Sequence, residues 1–290
     1  MRGSFLLPID LDGVDKVASR STFDVAAMRR RTGSRGRSER ERTRITVRVG
    51  LAVAVGVTFV LLWAALARAS TPDVLPGPSA VWLRLVQSVH DGQFFPAAGT
   101  TAEEAGLGWL IAAAFSLPVG YAIGRFRILE DALAPYLAGS QAMPVVAIAP
   151  ILLIWLGAGL ASKVSVAALI AFFPMLATTA SGIRGVPRDL TDAGRVFGAT
   201  GWPLARFVYL PLAARAVFSG VKVAAALSVT GAVVGEFIAS DQGLGYLINV
   251  GRVNFDTPLT FVAVLALIAM GAVAYSLFGL LERLVLRWEE

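Results

Sequence analysis

Long runs of residues without charge constrain this chain more than any single motif. Val49–Ala67 holds nineteen residues with no ionisable side chain, about 28 Å as a helix against a hydrocarbon core of about 30 Å. Lipid offers no water to backbone amides, so such a run has to satisfy them internally, as a helix or within a closed barrel. The runs here are continuous and long rather than short and alternating, which selects helices. Five more apolar runs follow: Ala105–Ile123, Leu129–Leu156, Val164–Ala180, Ala213–Ile238 and Leu259–Leu281, of which the second holds Glu130 and Asp131 and the fourth Arg215, Lys222 and Glu236. The expected fold is an all-α membrane protein with about six transmembrane helices. Only 16% of the residues are charged, against roughly 25% in soluble proteins.

The charges that remain are unevenly placed. Residues 1–46 hold eleven basic and six acidic residues. With few aromatics and no sustained period, they read as a disordered basic tail. Beside a membrane span, its charge is an orientation signal and an attraction to anionic lipid, not a nucleic-acid site. Arg29-Arg30 resembles a twin-arginine export signal, but no small-residue cleavage site follows the first apolar run, so the run is expected to stay. Met28, directly before Arg29, is a candidate translation start. The expected domains are the 1–46 tail, a 47–285 transmembrane domain with a polar loop at 187–212, and a 286–290 C-terminus. With the N-terminus inside and six spans, inside segments carry 21 basic residues and outside segments 4. That asymmetry puts both termini and the 187–212 loop in the cytoplasm.

Breaks and polar residues within the runs mark candidate sites. Pro135, Pro144 and Pro150 interrupt the third run, which should be kinked or broken there. Irregular backbone at membrane depth belongs where it is buried or lines a cavity, so Gln141 and Met143 are pathway candidates. Thr178, Ser228 and Thr230 join them, although such hydroxyls more often bond to their own helix. Glu236 is the strongest single candidate, because an ionisable group inside a span is costly. Lys222, lower in the same span, is expected to snorkel to the inner surface. Glu103 and Glu104 read as favourable charges at a helix N-terminus, and Lys163 falls in a short external turn. Ser79 is placed to cap a short external helix, Ser79–Val89, after the turn Leu75-Pro76-Gly77-Pro78, and residues 239–257 read as an external loop. Gly231 and Gly235 form a small-xxx-small pattern that permits close helix approach.

The 187–212 loop is helix-competent. Asp189 can cap a helix starting at Leu190, with Asp192 three residues on, where a capping box holds an acid. Gly198 can end the helix in a left-handed turn, Gly201-Trp202-Pro203 can restart the chain with Pro203 in a first turn, and Pro211 closes the segment. Asp192-Ala193-Gly194, three residues, Gly198, nine residues, Val208-Tyr209-Leu210-Pro211 resembles the conserved cytoplasmic loop of binding-protein-dependent ABC importer permeases. That pattern reads Glu-Ala-Ala, three residues, Gly, nine residues, an aliphatic residue, any residue, Leu-Pro. Two positions depart, Asp192 for Glu and Gly194 for the second Ala. The latter weakens a local helix by roughly 1 kcal/mol. Leu75–Ser79, Met143-Pro144 with Ala149-Pro150, Trp155-Leu156-Gly157, Phe172-Phe173-Pro174 and Gly243-Leu244-Gly245 are similar to landmarks of the nitrate/sulfonate/taurine branch, over about residues 75–285.

The resemblance implies the ABC importer permease fold, with a coupling helix between spans 4 and 5 that plugs into an ATPase subunit. The loop residues carried over are Asp192, Ala193, Gly194, Phe197, Gly198, Ala199, Leu210 and Pro211. It further implies a homodimeric permease in the cell membrane, two ATPase subunits holding ATP and Mg, and an extracytoplasmic solute-binding protein. The implied substrate is a sulfonate, taurine or nitrate-like anion, or a vitamin-precursor heterocycle. The chain itself is expected to bind no cofactor and to catalyse nothing. It has no cysteine and one histidine, His90, so thiolate and histidine-cluster metal sites are excluded, and no paired-carboxylate site suggests an intramembrane enzyme. The nearest approach to a P-loop, Gly157 to Val164, has Ser162 for the second Gly and Val164 after the Lys, so it does not fit. A self-sufficient secondary transporter is the alternative. It would be expected to show matched broken helices in two halves, and the third span has no clear Pro-rich counterpart.

Overall fold

The computed structural model describes residues 50–286 apart from 52, 142 and 143. The basic tail, Met28, Arg29-Arg30 and Met143 therefore lie outside the described residues. Two units are distinguished, Met1–Ala65 and Leu66–Glu290. The apolar helix α1 (Val53–Ala69) begins in the first and ends in the second. The rest of the fold belongs to the second unit.

Among its described residues four helices are long and apolar enough to cross a membrane, or five with one bent pair. They are α3 (Phe94–Arg125), α6 (Leu160–Arg184), the continuous helix Gly201–Ile238, and α11 (Thr257–Val285). The bent pair is α4 (Arg127–Gln141) and α5 (Val145–Leu156), meeting at 96° where the third apolar run was expected to break. Pro144 stands at the N-cap of α5. Its ring fixes φ and its nitrogen has no hydrogen to donate, so α4 cannot run through it unbroken. Only 11% of the most apolar stretch of α11 is buried in the protein. A water-soluble chain does not leave that much apolar surface open; lipid covers it at no cost.

Helix α6 is the centre of the bundle, gripped from two sides by small residues. On α3, Gly108, Ala112, Ser116, Gly120 and Gly124 recur every four residues and face α6. A Cβ at Gly108 would fall 2.5 Å from the Cβ of Ala167, and one at Gly124 would fall 2.5 Å from the carbonyl oxygen of Ala180. On the other side, a Cβ at Gly231 would lie 2.5 Å from the Cα of Ala167. Gly231 and Gly235 thus do permit a close helix approach. Backbones meet this closely because packing contacts, not water expulsion, hold helices together in lipid. Gly231→Ala is expected to cost about 1–3 kcal/mol by forcing α6 and the Gly201–Ile238 helix apart. A melting curve in detergent should show the drop, whereas Gly271→Ala should melt like the wild type because the nearest atom there, Ala226 O, is 4.0 Å away.

Several sequence-based expectations are corrected. The helix α2 (Pro78–His90) has Gly77 as N-cap and Pro78 at its first position, with no side-chain cap, so Ser79 does not cap it. The 239–257 stretch contains a helix, α10 (Leu244–Val253). Pro211 does not close the polar loop. The helix that starts with α8 (Gly201–Leu204) runs through a π-turn at Ala205–Tyr209 into α9 (Leu210–Ala239), with Pro211 in the first turn of α9. The wider i→i+5 turn accommodates a residue that cannot donate an i→i−4 bond. Lys222 does not snorkel: its ammonium pairs with Glu282 of α11, and both side chains are largely buried. At the far end Arg84 of α2 pairs with Asp256 at 2.7 Å, and Asp256 also accepts from the Leu259 amide as N-cap of α11.

Candidate functional site: an exposed helix tip and a buried polar cluster

The first candidate lies at one end of the bundle. Helix α7 (Arg188–Val196) has Pro187 as its N-cap and no side-chain cap. Asp189 is therefore a first-turn charge, not the cap. Asp192 is not engaged in a capping box; it pairs with Arg195 at 2.9 Å. The expected stop at Gly198 is present in full. Gly198 has φ +85°, its amide donates to Arg195 C=O at 2.9 Å, and the Ala199 amide donates to Gly194 C=O at 3.0 Å. These are the two bonds of a Schellman motif. A Cβ at Gly194 would meet Val208 Cγ2 at 3.0 Å and Leu204 Cδ1 at 3.1 Å, so the departure from alanine there makes room for the π-turn segment. Val196 and Phe197 protrude, 86% and 91% exposed, and Ala193 is exposed beside them. Ala199 packs inward against the cluster built on Ile183, Leu204 and Tyr209. Leu210 and Pro211 begin α9.

The second candidate is buried at the opposite end, where α9 hands over to α10. Glu236 has no exposed surface. Its Oε1 accepts from Thr101 Oγ1 at 2.6 Å, and its Oε2 accepts from the Gly245 amide. Thr101 Oγ1 in turn accepts from the Leu244 amide at 2.8 Å. A Cβ at Gly243 would fall 2.2 Å from Glu236 Oε1, and one at Gly245 would fall 2.7 Å from Oε2. Gly243-Leu244-Gly245 is thus the cradle of a carboxylate, closed by Leu244 at 0% exposure.

Beside this cradle lies a pair that the sequence reading misplaced. Glu104 is not a solvated N-terminal charge, because α3 starts at Phe94; it is 1% exposed. Lys163 is not in an external turn but inside α6 at 6% exposure. Its ammonium donates to Glu104 Oε1 at 3.1 Å and to Ser240 Oγ at 2.6 Å. Gly235 lets it pass, since a Cβ there would lie 3.3 Å from Lys163 Cγ and 2.9 Å from its Cα. Among the described residues Glu104 Oε2 is buried with no hydrogen-bond partner, and Glu236 is its neighbour. Three helices are therefore joined at one point by two carboxylates and one ammonium. Burial of charge on this scale persists only when the charges meet.

The other pathway candidates do not converge on this point. Thr178 Oγ1 donates to Pro174 C=O at 2.8 Å, and Ser228 Oγ donates to Ala225 C=O at 2.9 Å, so both hydroxyls bond to their own helices. Thr230 is exposed on α9, and Gln141 closes α4.

Residues 116–287 match the family model described as binding-protein-dependent transport system inner membrane component. The riboflavin transport system permease protein RibX of Chloroflexus aurantiacus is 46% identical over 216 residues, 74% of this chain and 81% of the relative. The putative aliphatic sulfonates transport permease protein SsuC of Bacillus subtilis is 31% identical over 215 residues, 74% and 78%. The formylaminopyrimidine transport permease protein ThiX of Halalkalibacterium halodurans is 28% identical over 232 residues, 80% and 92%. Among solved structures, an inward-facing MetNI methionine ABC transporter chain is similar with TM-score 0.59 at 17% identity, covering 65% of this chain and 94% of that one. That likeness concerns the fold.

Proposed function

Because the chain belongs to the binding-protein-dependent transport system inner membrane component family, a multi-pass ABC importer permease and not an enzyme, we propose that it carries a heterocyclic, vitamin-type solute inward across the cell membrane. A second copy completes the pathway. Two ATPase subunits hold ATP and Mg and supply the energy, and an extracytoplasmic protein delivers the solute. The observation that carries this reading is the tip of α7, with Val196 and Phe197 held out by the Schellman turn at Gly198. A rigid apolar tip on a short polar helix is a knob for a groove in a partner. The excess of basic residues on the α7 side supports a cytoplasmic position for it, with both termini inside. In the mechanism we favour, closure of the ATPase pair moves α7 as a plug and tilts the long helices between inward-open and outward-open states.

Greater identity with RibX than with SsuC supports a flavin-like heterocycle over a sulfonate. Proteoliposomes containing the chain, its ATPase and its binding protein are expected to accumulate riboflavin, but not taurine, when ATP and Mg are supplied on the ATPase side. Taurine accumulation without riboflavin uptake would replace the substrate class. Uptake by the chain alone without ATP would replace the whole reading with that of a secondary transporter.

A further inference from the structure

A cavity of about 590 Å³ opens behind α7, on the side away from the Phe197 tip. Its walls are the ends of α3 and α6 and the beginnings of α4 and α7. Five guanidinium groups line it, those of Arg125, Arg127, Arg184, Arg188 and Arg195. Three carboxylates, Glu130, Asp131 and Asp192, line it too, which leaves the wall with an excess of positive charge.

Much of that charge is not spent within the protein. Arg184 pairs with Glu130 at 2.6 Å, and Arg195 with Asp192 at 2.9 Å. Arg125 stacks on the ring of Tyr209 at 5.3 Å, a contact that leaves its N–H donors free to bond elsewhere. Arg127 and Arg188 have no ion-pair or hydrogen-bond partner among the described residues and stand exposed at the mouth. Helix α7 also starts in this wall with no side-chain cap on its first-turn amides, so uncommitted backbone donors lie beside the uncommitted arginines.

We propose that this cavity binds a phosphate-bearing anion. Guanidinium groups match phosphate oxygens in paired hydrogen bonds, and a cavity of this volume lies within the range that holds a small ligand. Its position names the two possible sources. Arg125 and Arg184 end long apolar helices, the depth at which phospholipid head groups lie, and basic pockets between spans bind such head groups. A soluble phosphate compound has the same chemistry and reaches the open mouth. In either case the anion bridges α4 and α7, and so steadies the helix that carries the exposed tip.

The test uses the full chain, purified in detergent and in phosphatidylcholine nanodiscs with and without phosphatidylglycerol, and the variant Arg127→Gln/Arg188→Gln. Both positions are exposed, so the variant should match the wild type in elution and in melting without ligand. Arg252→Gln, at the far end of the bundle, is the control. Native mass spectrometry should show phosphatidylglycerol retained by the wild type and the control, and retained roughly ten- to thirty-fold less by the double variant. That result assigns the lipid source. A rise in melting temperature with inorganic phosphate or glycerol phosphate, lost in the double variant and without selective lipid retention, assigns the soluble source. If wild type and double variant bind lipid and phosphate alike, or neither binds, the site does not exist. None of these readouts depends on transport or on the ATPase, so the outcome is separate from that of the proposed function.

Discussion

Replacing Lys163 by methionine is expected to cost about 3–5 kcal/mol, because it leaves an uncompensated buried charge. Folded domains hold only about 5–15 kcal/mol in total, so most of the margin goes with one side chain. Glu104 would keep a carboxylate at 1% exposure with no ammonium to meet it, beside the carboxylate of Glu236. The expected outcome is a large fall in melting temperature in detergent and little monodisperse protein. Glu104→Leu combined with Lys163→Met should recover much of the loss, since well-packed apolar residues replace a buried pair at little or no cost. Thr101 and the Gly245 amide would still hold Glu236 in that double variant, with the Leu244 amide bonded to Thr101. A Lys163→Met protein as stable as the wild type would show that the pair is not desolvated.

Transport should fail, with the protein still folded, when Gly198 becomes valine. At φ +85° a β-branched residue is a steric outlier, and the left-handed conformation costs an ordinary residue about 1–2 kcal/mol. The space around Gly198 is open, with nothing within 4 Å of a built Cβ. The cost therefore falls on the turn and not on the bundle. If it undoes the Schellman bonds, the tip at Val196 and Phe197 loses its orientation in a five- to thirty-fold larger fraction of molecules. Gly198→Asn should retain most transport, because asparagine tolerates this conformation. The check is ATP-driven uptake set beside ATP hydrolysis in the same vesicles. Hydrolysis without uptake in the valine variant is the expected pattern, and normal uptake would refute a coupling role for α7.

The loop was legible because its signals are local. Gly198, Pro203 and the spacing to Pro211 each act on the backbone within a turn of themselves. What the sequence reading missed there was also local in origin but needed the neighbours. The cap moved from Asp189 to Pro187, and Pro211 was absorbed by a π-turn.

The buried cluster left a trace that hydropathy windows hide. Glu104 lies four residues before Gly108 on the row Gly108, Ala112, Ser116, Gly120, Gly124. Glu236 continues the row Gly220, Ala224, Ser228, Ala232, and Lys163 lies four residues before Ala167. Residues four apart share a helix face, so each charged residue belongs to a face already marked by small residues as a contact. An average over an apolar window treats the same residue as the end of a span.

The sequence by itself determined that this chain is a set of helices suited to lipid, roughly where most of them end, and that the polar loop holds a short helix stopped at Gly198. Those properties follow from backbone hydrogen bonding in lipid and from caps, both of which act within one or two turns. Only the tertiary structure decided that Glu104, Lys163 and Glu236 meet, that Lys222 has Glu282 for a partner, and that five arginines share one cavity. Those residues are far apart along the chain, and a charge carries no local sign of which opposite charge it will be packed against.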